Sequence, residues 1–247
     1  SIEFDHADIY KDVDAVIAAF EKLAKLIPAS GSLITCIESE LAMKVSKLCA
    51  GKVISYGFDK AATSQGTDLK LSESGISFQW KGHHVTLSAP GRHNALNTLA
   101  CLTLCEKLGL PLDKAVASLK TFSGVKRRQE VYYTKNDIYL IDDFAHHPTA
   151  VRETLQAIHS KYPKHRIFAC FEPRSATSRR KIFQEDYAKS FDVAHEVFIA
   201  KPYDQSSINA TEQFSSEELI SDISARGKKA SIFTTTEESI QSLAKQL

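Results

Sequence analysis

The chain has 247 residues, 43% of them hydrophobic and 25% charged, a balance that excludes a disordered segment and allows one large or two ordinary domains. Basic and acidic side chains nearly cancel at a formal net charge of +1, so no overall field draws the protein to nucleic acid or anionic lipid. No apolar run approaches the roughly 18 residues of a membrane helix, and the opening SIEFDHADIY has neither the basic nor the apolar region of a signal peptide.

Asp12–Ile27 places Val13, Val16, Ile17, Phe20, Leu23, Ala24 and Ile27 on one helical face, and Pro28 stops it. SLITCI reads as a buried strand, ESELAMKVSKLCA as a helix and KVISYGF as another strand. That alternation predicts an α/β layer with parallel strands. From Asp68 to Ser88 three short alternating segments, punctuated by SESG and WKG, predict an antiparallel meander. His83 and His84 sit on its last strand and point to opposite faces, so they read as structural. Pro90 and Gly91 then break the chain before a long apolar helix to Leu108, and PLDKAVASLKTF gives a shorter one.

EVYYT is expected to pair with DIYLIDD across KND, with a domain boundary between Gly124 and Glu130. The remaining elements alternate. Helix PTAVRETLQAIHSKY, strand RIFACF, helix KIFQEDYAKSF, strand EVFIA, helix SSEELISDISAR, strand KASIFT and helix EESIQSLAKQ predict a doubly wound, Rossmann-like parallel sheet. The expected division is 1–127, the later part of a central ATP-binding domain, and 128–247, a C-terminal ligand-binding domain. The cysteines are Cys36, Cys49, Cys101, Cys105 and Cys170. They are odd in number and without C-x-x-C spacing, which suits reduced thiols in the cytoplasm. The chain opens on Ser1 almost inside a motif, so it reads as a piece of a longer protein.

The chemistry concentrates at strand ends. In YLIDDFAHHPTAVRET, Asp142 and Asp143 end a strand, His146 and His147 follow, and Pro148 suits the first helical turn. Ligands of open α/β sheets bind beyond the carboxyl ends of strands, so these four groups stand at a ligand rim. The alternative is a capping Asp in a solvated loop. ACFEPRSATSRR repeats the pattern after the next strand, where the forked guanidinium of Arg174 and its neighbours suits an anionic substrate. The alternative there is a mobile basic loop. In GVKRRQE, Lys126, Arg127 and Arg128 either clamp phosphates or form a solvated face. GRHNALN starts an apolar helix with His93, Asn94 and Asn97, an unusual choice unless a base binds there. EFDHAD mixes nitrogen and oxygen ligands that suit Mg²⁺, or else it simply caps the helix through Asp8 or Asp12.

DHADIY, GRHNALN, GVKRRQE and DDFAHHPTAV, in that order and spanning the whole chain, resemble the Mur ligases, which form amide bonds with ATP through an acyl-phosphate. The resemblance implies ATP and Mg²⁺ as cofactors. It implies His6 as a ligand or orienter of Mg²⁺, Asn94 and Asn97 near the adenine, and Arg128 on the nucleotide phosphates. Asp143 would hold the ribose, and His146 and His147 would face the reaction centre. Arg174 and Ser175 are the candidates for gripping the incoming peptide. DDFAHHPT and FEPRSATSRR are most similar to the member that joins UDP-N-acetylmuramate to the murein tripeptide L-alanyl-γ-D-glutamyl-meso-diaminopimelate. The member that adds L-alanine is the main rival.

One departure matters: no GxxxxGK[ST] phosphate loop occurs in the chain. The family's UDP-sugar domain, its upstream metal-binding Glu and its C-terminal tail are also not matched. The 247 residues alone are therefore expected to be inactive. A non-catalytic nucleotide- or peptide-binding module is the competing reading. A nicotinamide-dependent oxidoreductase is not, because no G-x-G-x-x-G follows a predicted strand.

Overall fold

Residues 1–233 and 235–244 are described by the computed structural model, which divides into two units, Ser1–Val125 and Lys126–Leu247. The first unit begins with α1 (Val13–Lys25), capped by Asp12, whose Oδ1 accepts from the Ala15 amide at 2.9 Å. Val16, Ile17 and Ala24 are buried with Ile2 and Val45, whereas Val13, Phe20 and Leu23 remain exposed. The apolar stripe predicted for this helix is thus wider than the face its neighbours cover.

β1 (Ser32–Cys36), α2 (Glu40–Ser46) and β2 (Lys52–Gly57) follow, with β1 and β2 parallel in the register Ser32↔Lys52 to Cys36↔Tyr56. β3 (Ser64–Gln65) adds a parallel pairing on β2 that sequence periodicity cannot show in two residues. β4 (Thr67–Ser72), β5 (Gly75–Trp80) and β6 (His83–Leu87) form the antiparallel meander. Lys81 and Gly82, both at positive φ, make the tight β5–β6 turn. Pairs such as Phe78↔Val85 turn one face of the meander toward Ala95, Leu99 and Leu102 of α3 (Arg92–Lys107). Leu112 and Val116 of α4 (Leu112–Ser118) pack on the same cluster. His83 lies 3.4 Å from Asp113 and His84 is 3.1 Å from Gln79, so the two histidines serve different contacts.

The second unit begins with a hairpin of β7 (Glu130–Lys135) and β8 (Ile138–Asp142), turned by Asn136 and Asp137 at φ 50° and 63°. α5 (Pro148–Lys161), β9 (Phe168–Phe171), α6 (Gln184–Ser190), β10 (Glu196–Ala200), α7 (Ser216–Ala225), β11 (Lys229–Phe233) and α8 (Thr236–Ala244) then alternate. β9, β10 and β11 form a parallel ladder with β10 in the centre. Central position explains the continuous buried run Val197, Phe198, Ile199. Val151 and Leu155 of α5, Tyr187 and Phe191 from α6 and its end, and Leu219 and Ile223 of α7 complete this core. β8 pairs with β7 rather than joining the parallel ladder.

Each unit therefore combines a parallel and an antiparallel sheet in a mixed α/β architecture. Thr234 of the predicted last strand, and Lys245 and Gln246 of the predicted last helix, lie outside the described residues.

Candidate functional site

The loop after β8 shows why two Asp and two His follow a strand. Asp143 accepts from two backbone amides, Ala145 N at Oδ1 (2.7 Å) and Gln129 N at Oδ2 (2.8 Å). One carboxylate thus fixes its own loop and the turn that precedes β7. That turn needs fixing, because Arg127 and Gln129 sit at φ 58° and 53°, where a side chain costs about 1 kcal/mol or more. The Phe144 amide completes the clamp by donating to the Arg127 carbonyl at 3.0 Å. Asp142 lies 3.4 Å from Arg127 Nε.

The two histidines divide by hydrogen-bond logic. His147 is the N-cap of α5, and its Nδ1 accepts from the Thr149 amide at 3.3 Å. A backbone N–H only donates, so Nδ1 is unprotonated and Nε2 carries the proton of the neutral ring. His146 Nδ1 instead lies 3.1 Å from the Phe144 carbonyl oxygen, which only accepts. Its Nδ1 is therefore the donor in this contact, the opposite of its role in His147. The Tyr187 hydroxyl donates to the His146 carbonyl, and the buried Ser190 hydroxyl donates to the Pro148 carbonyl at 2.9 Å.

Capping alone accounts for part of His147. His147→Ala is expected to lower the denaturant-measured stability by about 1 kcal/mol, while His147→Asn, which can still cap, keeps most of it. Equal losses in both variants would contradict the capping role.

The rim after β9 is built, not loose. Ser175 and Ser178 bond reciprocally: each amide donates to the other's hydroxyl, at 2.9 and 3.0 Å, and Ser178 is fully buried. Arg179 reaches the Asp204 and Ser175 carbonyls, Arg180 pairs with Glu212 at 3.3 Å, and Lys181 pairs with Glu218 at 3.1 Å. The backbone amide of Ser206, on the Asp204 carboxylate, holds that acid below its usual range. Most of the basic run is therefore structural. Arg174 differs. Its guanidinium lies 4.5 Å from the Tyr203 ring centre and 4.0 Å from Glu172, and it makes no hydrogen bond among the described residues.

In the first unit, Asn94 and Asn97 sit one turn apart at the start of α3, so they share a face. Asn94 Nδ2 donates to the Pro90 carbonyl at 2.7 Å, which orients its carboxamide. Arg92 Nη2 lies 2.6 Å from Glu38 Oε2, and Glu38 Oε1 accepts from the Phe58 amide at 2.7 Å. Sequence reasoning passed over Glu38, the residue that ties the ends of β1 and β2 to the start of α3. Nearby, burial first and then Cys36 push the Tyr56 phenol up to about 12.

His6 lies in an exposed turn at φ 55° with its amide held by Asp5 Oδ1 at 2.8 Å. The expected helix cap falls to Asp12 rather than Asp8. Among the described residues no group of three or more His, Cys, Asp or Glu side chains gathers as a metal site.

Family models decide what these rims belong to. The Mur ligase middle domain matches residues 1–105, and the Mur ligase glutamate ligase domain matches residues 127–247. The chain belongs to the Mur ligase family, carrying its middle and C-terminal domains. A UDP-N-acetylmuramate–L-alanine ligase of Desulfitobacterium hafniense is 32% identical over 100% of this chain and 56% of its own length. One from Caldanaerobacter subterraneus is 33% identical over 92% of this chain and 50% of its own. The chain thus spans about half the length of the curated relatives it matches.

Among solved structures, the UDP-N-acetylmuramate–alanine ligase MurC of Thermotoga maritima superposes with a TM-score of 0.70 at 25% identity. It covers 94% of this chain and 49% of that one. The murein peptide ligase of Psychrobacter arcticus gives 0.65 at 25% identity over 95% and 49%. MurF of Acinetobacter baumannii gives 0.79 at 17% identity over 100% and 52%, a likeness of fold.

Proposed function

We propose that this chain serves an ATP-dependent ligase that joins UDP-N-acetylmuramate to L-alanine through an acyl-phosphate. The observation that carries the reading is the set of relatives above 30% identity, aligned along all or most of the chain, that bear that activity as their name. A second reading takes the murein tripeptide as acceptor. It is supported by the murein peptide ligase, as identical to this chain as MurC of Thermotoga maritima is, and by the DDFAHHPT form of the strand-end motif.

The site chemistry is compatible with either acceptor. Asn94, oriented by the bond from its Nδ2 to the Pro90 carbonyl, is the proposed contact to the adenine edge, and Asn97 flanks it. Asp143, with one lone pair on each oxygen already used, retains capacity for ribose hydroxyls. Arg128 offers donors to phosphate oxygens as charge develops on them. In the second step the amine attacks the acyl-phosphate and must lose a proton. His146, whose Nδ1 donates to the Phe144 carbonyl, is proposed to take that proton as phosphate leaves, and the Nε2–H of His147 to donate to developing negative charge. Arg174 would hold the acceptor carboxylate, with Ser175 shaping its loop. Magnesium would offset triphosphate charge when bound. His6 is proposed as one contact to it, not as a complete site. The free cysteines agree with a cytoplasmic location.

Phosphate release with ATP, Mg²⁺, UDP-N-acetylmuramate and either L-alanine or the tripeptide tests the proposal. The intact gene product is expected to respond to L-alanine. A response to the tripeptide alone reassigns the acceptor, and a response to neither leaves a nucleotide- or peptide-binding module. The 247-residue chain by itself is expected to release no phosphate, because its sequence holds no GxxxxGK[ST] loop. Robust turnover by that chain would overturn this last point.

A further inference from the structure

Two arginines in the second unit combine an aromatic contact with the lack of any hydrogen bond among the described residues. Arg128 is exposed, with its guanidinium carbon 5.5 Å from the centre of the Phe144 ring. Arg174 is held the same way, 4.5 Å from the Tyr203 ring. Neither makes a hydrogen bond among the described residues. Arg127 shares the Phe144 ring, at 5.1 Å, but is tied to Asp142 at 3.4 Å, and Arg179 and Arg180 are tied to the Asp204 carbonyl and to Glu212, whereas the nearest carboxylate to Arg174, Glu172, is 4.0 Å away. A guanidinium held by an aromatic face keeps its N–H donors, which lie in its own plane, for another group. Those donors match the two oxygens of a carboxylate or phosphate.

The rings are themselves out of the core yet fixed in place. Phe144 is 48% exposed and Tyr203 65% exposed. The Phe144 amide donates to the Arg127 carbonyl at 3.0 Å, and the Tyr203 amide donates to the Pro173 carbonyl at 3.3 Å. Each bond joins the aromatic residue to the residue immediately preceding the arginine it holds. Asp143 and Gln205 brace the same two loops, Gln205 Nε2 donating to the Arg179 carbonyl at 2.7 Å. An exposed large aromatic gains little from burial, so tying one down twice in the same manner asks for another use.

We infer that Phe144 and Tyr203 are positioning residues, platforms that hold Arg128 and Arg174 edge-outward for two oxyanions, a nucleotide phosphate at Arg128 and the acceptor carboxylate at Arg174. The inference rests on the ligase reading for the identity of the two anions. Its geometry, a guanidinium over an aromatic ring with no hydrogen bond among the described residues, does not.

The test compares Phe144→Leu and Tyr203→Leu with the conservative Phe144→Tyr and Tyr203→Phe in the intact gene product. Phe144→Leu is expected to raise the KM for ATP, and Tyr203→Leu the KM for the acceptor, each about five-fold, the worth of an exposed cation–π contact. In each case the other KM is expected to stay unchanged, and the aromatic replacement to restore the wild-type value. Because both rings are exposed, thermal midpoints are expected to move little, which separates positioning from folding. Unchanged KM values in both leucine variants, or equal rises for both substrates, would overturn the inference.

Absence of turnover with every acceptor defeats the ligase reading instead, and a second measurement still decides the platforms. In the 247-residue chain, the Arg128 side-chain NMR signals are expected to shift on titration with inorganic pyrophosphate, and Arg174's with acetate. Leucine at the partner ring should weaken each response, and responses identical to wild type count against the platforms.

Discussion

Asp143→Ala is expected to lower the stability of the Lys126–Leu247 unit by about 3 kcal/mol, the largest single effect at the proposed site. The carboxylate makes two charge-assisted bonds to backbone amides, and each such bond contributes about 1.5–3 kcal/mol, with partial exposure favouring the low end. Its loss also frees a turn with Arg127 and Gln129 at positive φ. Asp143→Asn keeps one acceptor oxygen, so about half the loss is expected. Urea unfolding of the 247-residue chain measures both variants. An alanine variant as stable as wild type would remove Asp143 from its clamping role. In the intact gene product the alanine variant is also expected to raise the KM for ATP at least as much as Phe144→Leu does, because both residues set the turn that carries Arg128.

Trp80→Ala is expected to cost about 4 kcal/mol in the Ser1–Val125 unit, in the range for truncating a fully buried aromatic. Trp80 is 1% exposed, within the cluster of Phe78, Val85, Leu99 and Leu102. Its indole N–H donates to the Ser64 hydroxyl at 2.9 Å, which lies 2.7 Å from that of Thr103. Removing the ring leaves a cavity and takes from buried Ser64 one of its partners. Trp80→Phe separates the two terms. It keeps most of the volume and loses the N–H, so a cost of about 1–2 kcal/mol is expected. A phenylalanine variant as damaging as the alanine one would assign the whole effect to the hydrogen bond.

Much of the fold could be read from the sequence because its signals are local. Alternation over Asp68–Ser88 produced the meander, and the KND stretch produced the β7–β8 turn. The helical period produced α1, α3, α5 and α7, with Asp12 and Pro148 marking two starts. Period 2 and period 3.6 are written in consecutive residues, and Gly, Pro and Asp constrain the backbone where they stand. The Mur ligase motifs were equally visible, since each is a short run of unusual residue types.

Other features depended on partners far apart in the chain. β3 exists because Ser64 meets Tyr56 across a ladder and Trp80 across the core. Glu38 matters because the fold brings it to Arg92, 54 residues away. Arg179 and Arg180 looked like part of a ligand-binding rim until the Asp204 carbonyl and Glu212 arrived to pair with them. Arg174, singled out in the sequence, is set apart in the structure by Tyr203, on another loop, 4.5 Å from its guanidinium. His146 and His147, adjacent in sequence and alike in type, received opposite hydrogen-bond roles at Nδ1 from a carbonyl and an amide.

The sequence by itself determined the elements, their order and the residue types at the strand ends, because periodicity and backbone constraint act within a few residues. Only the tertiary structure decided which of those polar groups are tied to other parts of the protein, because hydrogen bonds and ring contacts depend on distances that the chain closes only when it folds.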